Sequence, residues 1–151
     1  MRLNKVTDVR RGKAITAEIT NERWNIKLKY NLPVIKPGTA ARRLLKIATQ
    51  NSFTAYEYFL TDHIGHGRYD GEVEKTVKIL DEFLYTVITG MDKKHMTLIV
   101  CSDHGNFEDL SIKTHTLNPS LTITAGKHAE KLFNNIKDIS HIKSAIIKYC
   151  K

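Results

Sequence analysis

Met96-Thr97-Leu98-Ile99-Val100-Cys101-Ser102 runs directly into Asp103-His104-Gly105-Asn106. A short apolar, β-branched run bounded by a polar, glycine-bearing loop reads as a buried strand that delivers the loop at its carboxyl end. Working back from it, residues 71–91 place Val73, Val77, Leu80, Leu84, Val87, Ile88 and Met91 mostly at three- and four-residue steps, which predicts an amphipathic helix. Before that helix, Phe53 to Thr61 is apolar and aromatic, of strand length, and ends abruptly in Asp62-His63-Ile64-Gly65-His66-Gly67-Arg68. Strand, loop, helix and strand in this order predict an α/β fold, a largely parallel sheet flanked by helices. Working forward, Leu121 to Thr124 suits a further strand, residues 127–134 a helix, and the chain closes in a helix opening near Asp138 or Ser140 with Ile142, Ala145, Ile146 and Tyr149 on its buried face.

The front of the chain is different in character. Residues 1–46 hold twelve Lys and Arg against three acids, and residues 47–151 hold twelve against thirteen, so the net charge of +8 belongs to the front. Partial alternation over Lys13 to Tyr30 predicts short strands around the polar break at residues 21–23. Pro33 and Pro37 exclude regular helix between them, and Thr39 is a plausible N-cap for a helix to about Asn51 with Leu44, Leu45, Ile47 and Ala48 inward. The expected division is therefore a basic segment with short strands, 1–36, and a core, 37–151. A basic front suits nucleic acid in principle, but a lone Trp24 and Tyr30 do not make a row of stacking aromatics, so nucleic acid is not the expected partner.

A chain of 151 residues can bury about 70% of its unfolded surface, enough for a real core. Its apolar runs are far too short to span a bilayer, and the start lacks a secretory h-region, so a cytoplasmic setting without membrane contact is expected. Two cysteines do not form a disulfide scaffold; Cys101 is expected as a small buried hydrophobe.

Ligand-binding groups in open α/β sheets gather at the carboxyl ends of strands, and both polar clusters fall there. Asp62 and His66 form an Asp-x-x-Gly-His set; Asp103 and His104 open an Asp-His-Gly-Asn set; His115 stands in a polar loop beyond. Carboxylate oxygen mixed with imidazole suits Zn²⁺, Mn²⁺ or Fe²⁺ better than Ca²⁺ or Mg²⁺. Glycines at 65, 67 and 105 allow tight turns there. Asn106 and Glu108 are placed either to orient ligands by hydrogen bonds or only to shape the loop. Arg68, directly after the first cluster, is a candidate for gripping a substrate phosphate or for a surface ion pair.

Thr61-Asp62-His63-Ile64-Gly65-His66, Ser102-Asp103-His104-Gly105-Asn106-Phe107-Glu108, and His115-Thr116 with Asn118-Pro119 resemble the metal-ligand motifs of the alkaline phosphatase superfamily, in its branch of cofactor-independent phosphoglycerate mutases and related metalloenzyme-domain proteins. The resemblance implies two divalent ions, manganese or zinc, with Asp62, His66 and His115 on one and Asp103 and His104 on the other. It also implies an aspartate from the first strand of the domain and a Ser or Thr nucleophile upstream, and neither has a counterpart here. Thr7, Asp8 and Thr16 precede the motif without the required context. The expectation is an incomplete alkaline-phosphatase-like core, 37–151, with one complete metal site and half of a second. Alone it would turn over a phosphate-ester substrate poorly, and an N-terminal half or a homo-oligomer is the expected partner. The rival expectation is a non-catalytic metal-binding subunit.

Overall fold

A computed structural model describes residues 4–69 and 73–150. Its elements are α1 (Val6–Arg10), α2 (Glu22–Leu28), α3 (Pro37–Ala48), α4 (Leu60–Gly65), α5 (Val73–Gly90), β1 (Thr97–Cys101), β2 (Thr122–Gly126), α6 (Ala129–Asn135) and α7 (His141–Tyr149). Two compact units result, Met1–Gly90 and Met91–Lys151.

In the first unit, the expected strands of Lys13 to Tyr30 are replaced by turns and by α2. The alternation of Trp24, Ile26 and Leu28 misled here: wound into a helix it leaves Ile26 and Leu28 exposed while Trp24 packs on a small core of Val9, Ala14 and Leu32. Side chains take over the pairing that strands would have provided. Asn25 accepts from the Leu32 N–H at 2.8 Å and donates to the Leu32 carbonyl at 2.7 Å. Asn21, buried with a left-handed φ of 70°, accepts from the Thr16 hydroxyl at 2.9 Å and donates to the Pro33 carbonyl at 2.8 Å.

Helix α3 starts at Pro37, whose missing N–H costs nothing at that position, so Thr39 lies inside the first turn instead of capping it. Its fully buried residues are small, Gly38, Ala40 and Ala41, and the expected stripe of Leu44, Leu45, Ile47 and Ala48 is half-buried. Small side chains let α5 approach closely: the Gly38 N–H reaches Glu82 Oε1 at 3.0 Å. On α5 the buried residues are Thr76, Phe83 and Val87, and Met91 is buried just beyond it; Val87 and Met91 belong to the expected face, but Val73 and Val77 are exposed, so the inward face extends toward Thr76 and Phe83 instead. The start of that predicted helix, at Gly71, lies outside the described residues.

Residues 53–59 form no helix or strand, and burial alternates along them, with Thr54, Tyr56 and Tyr58 half-buried and Phe53, Ala55, Glu57 and Phe59 exposed. The expected strand therefore has the burial pattern of one but joins no ladder among the described residues, and it gives way to α4 at Leu60. Tyr56 holds the segment in place, its hydroxyl donating to the Thr16 carbonyl at 2.9 Å and its ring 5.4 Å from that of Phe83.

In the second unit, β1 and β2 pair antiparallel in the register Thr97↔Gly126 to Cys101↔Thr122. Among the described residues this is the whole sheet, so the expected parallel arrangement is not seen. Leu132 of α6 is fully buried, and α6 packs on β2 and α7. On α7 the expected face is found, with Ala145 buried and Ile142, Ile146 and Tyr149 half-buried. Cys101, expected inside, is exposed at the end of β1.

Candidate metal centre

In the first unit, α4 places Asp62 in its first turn and His66 at its C-cap. A four-residue step puts two side chains on one helix face, and Asp62 Oδ1 stands 3.2 Å from His66 Nε2. Two ligand atoms each ~2.1 Å from a tetrahedral ion lie roughly 3.4 Å apart, so this pair already has the spacing of two ligands to one ion. Gly65 is buried in the helix, and the turn out of it is made at Gly67, whose φ of 65° favours glycine. The Arg68 N–H donates to the His63 carbonyl at 2.8 Å, and its side chain is exposed.

In the second unit the connection from β1 to β2 carries the other candidates. Asp103 Oδ2 lies 3.5 Å from His104 Nε2, again near ligand spacing. The ring of His104 stacks on that of His115 with centroids 3.5 Å apart and planes at 16°. Two residues eleven apart are thus brought together by the loop itself. Behind them, Gly105 and Thr116 form an isolated antiparallel bridge, with the Thr116 N–H donating to the Gly105 carbonyl at 3.0 Å.

The Glu108 carboxylate sits across that bridge. It accepts from the Thr116 hydroxyl, from Asn118 Nδ2 at 3.1 Å and from the Asn106 N–H at 2.6 Å. These bonds hold the carboxyl at about 2, the Thr116 hydroxyl being the largest cause and the N–H of Glu108 itself the next. Asn106, buried, reaches the Thr114 carbonyl at 3.4 Å, and the Ser102 hydroxyl donates to the His104 carbonyl at 2.6 Å. On sequence Glu108 and Asn106 stand undecided and Thr116 carries no role, because spacing alone does not show which loop residues the fold brings together.

Carboxylate–imidazole pairs at ligand spacing, one on a helix and one on a strand-end loop, fit a borderline divalent ion and define a metalloenzyme class. The family comparison agrees: the Metalloenzyme superfamily matches residues 30–150, and the chain belongs to it. Within that class it is similar to the 2,3-bisphosphoglycerate-independent phosphoglycerate mutase of Mycoplasmopsis pulmonis (strain UAB CTIP), 29% identical over an alignment of 103 residues that covers 64% of this chain and 20% of the relative. The match therefore spans about a fifth of the relative's length. This supports the phosphoglycerate mutase-like branch of the alkaline phosphatase superfamily. No solved structure matches the chain. Among the described residues no helix is long and apolar enough to cross a membrane.

Proposed function

We propose that this chain is the metal-binding part of a divalent-metal-dependent phosphoryl-transfer enzyme of phosphatase or phosphomutase type. Asp62, His66 and His115 would hold one ion, and Asp103 and His104 the second. The observation that carries the reading is the pair of carboxylate–imidazole sets at ligand spacing in a chain of the Metalloenzyme superfamily. Manganese or zinc, when bound, would activate the attacking oxygen and offset charge on the phosphoryl group. The chain's own contribution is to preset the ligands: α4 fixes the first pair by its pitch, and the β1 loop fixes the second. Arg68, exposed beside the first pair, would grip the phosphate of a small phosphate ester.

The remaining aspartate ligand and the Ser or Thr nucleophile would come from an N-terminal half, which would also complete a largely parallel sheet. The small share of the mutase that the match covers supports this. A nucleic-acid partner is not part of the proposal, and a cytoplasmic setting is, in keeping with the free thiols Cys101 and Cys150. The second reading, a non-catalytic subunit that retains metal, is favoured by the lack of any assignable nucleophile in the sequence.

The test is elemental analysis of chain purified without chelators, for the native sequence and for His115→Ala. One or more equivalents of manganese or zinc, falling sharply in the variant, is the expected result. No metal in the native chain, even after incubation with both ions, would refute the proposal. Retained metal without phosphate-ester hydrolysis after the missing half is added would select the non-catalytic reading.

A further inference from the structure

We infer that Glu108 is the positioning residue of this metal centre: its carboxylate ties the segment carrying His115 to the loop carrying His104 and so sets the separation of the two imidazoles. The inference rests on the proposed metal-binding reading, and it is built from residues of the second unit alone. Thr116 and Asn118 bind one carboxylate oxygen, and the Asn106 N–H binds the other. Thr116 follows His115 directly and Asn106 follows His104 by two, so one carboxylate spans the two ligand-bearing segments. The Asn106 amide adds one longer bond between the segments, 3.4 Å, to the Thr114 carbonyl.

Gly105 is the complement of this arrangement. A Cβ there would stand 2.2 Å from Thr116 Oγ1 and 2.8 Å from Glu108 Oε1, so the clamp occupies the space a side chain would take. Glu108 touches neither imidazole. It acts through backbone placement, holding the rings stacked 3.5 Å apart before any ion arrives. Partners that hydrogen-bond a ligating side chain directly change metal affinity roughly 10–100-fold, and the lower end is expected for one that acts through the backbone.

The test uses the full chain and three variants. Glu108→Gln replaces one accepting oxygen with an NH₂, so either Thr116 and Asn118 or the Asn106 N–H loses its acceptor. Thr116→Val removes the hydroxyl at constant shape, and Thr116→Ser keeps it. Two quantities are read: Mn²⁺ and Zn²⁺ affinity by calorimetric titration, and the His104 and His115 ring-proton shifts of the metal-free chain by NMR, where stacking displaces them upfield. Glu108→Gln and Thr116→Val are expected to weaken both ions at least 10-fold and to lose the upfield displacement with a native melting curve, while Thr116→Ser behaves as wild type. Unchanged ring shifts in Glu108→Gln and Thr116→Val overturn the inference, as does equal loss in Thr116→Ser. If the native chain binds neither ion, the metal reading fails, and the ring shifts still decide whether Glu108 sets the imidazole separation.

Discussion

Replacing Gly105 with alanine tests the packing of the ligand loop most directly. The new methyl would meet Thr116 Oγ1 at 2.2 Å, Glu108 Oε1 at 2.8 Å and the Asn118 backbone oxygen at 3.1 Å. Ordinary contacts begin near 3.5 Å, so the Thr116 hydroxyl must retreat by more than about 1 Å. Glu108 can swing away only by giving up its bonds to Thr116 and Asn118, and Thr116 is β-branched and held through its own N–H to the Gly105 carbonyl. Overpacking on this scale costs about 1–3 kcal/mol, and losing the bridge bond adds about 1 kcal/mol. A total of about 2–4 kcal/mol lowers the melting temperature by roughly 4–16 °C at this chain length. Scanning calorimetry of the metal-free chain measures it, and a Thr116→Ala background provides the internal control. There the nearest clashing atom is gone, so the same glycine substitution should cost distinctly less. Equal costs in the two backgrounds, or a wild-type melting temperature for Gly105→Ala, would refute the reasoning.

Two further outcomes concern the first unit. Asn21→Ala removes two hydrogen bonds from a fully buried position and puts a Cβ-bearing residue without a local polar partner at a φ of 70°; a loss of about 3 kcal/mol is expected in urea denaturation, and a loss under 1 kcal/mol would contradict the buried geometry. Burial, and secondarily the negative charge of Glu18, pushes the Tyr58 phenol up to about 12, and burial pushes Tyr56 higher still. Because the folded value lies above the unfolded one of about 10, the stabilisation from keeping Tyr58 neutral is complete below pH 10 and is lost as pH rises through 12. Absorbance at 295 nm should show two of the six tyrosines ionising late, with one of them missing in Tyr58→Phe. A single step near pH 10 would contradict this. Among the described residues the Tyr58 hydroxyl finds no hydrogen-bond partner, so Tyr58→Phe should not lower stability.

Elements whose burial follows from local periodicity were legible in the sequence. The face of α7 falls on Ile142, Ala145, Ile146 and Tyr149 as the spacing dictates, and β1 lies within the apolar run from Met96 to Ser102. Where the sequence misled, a second factor decided. Trp24, Ile26 and Leu28 alternate like a strand, yet Asn25 satisfies the Leu32 backbone with its own amide, so no second strand is needed and the segment winds into α2. The face of α5 turns toward Phe83 because that ring packs on Tyr56, with ring centroids 5.4 Å apart. That choice depends on a tertiary partner, which a hydrophobic stripe read in isolation does not contain.

The same distinction runs through the candidate site. Asp62 and His66 meet because a helix repeats nearly every four residues, and Asp103 meets His104 because they are neighbours; both pairs are encoded within one turn of chain. The stacking of His104 on His115 has no such local origin. It needs a bridge between Gly105 and Thr116, and a single strand-like bridge closed over a loop of this length offers little to hold it against loop entropy. The carboxylate of Glu108, bonded on both sides of that bridge, supplies the missing restraint. A ligand set drawn from separated segments therefore depends on a residue that binds no metal, and in this chain that dependence falls on a glycine, a threonine and a glutamate that motif spacing alone presents as ordinary loop.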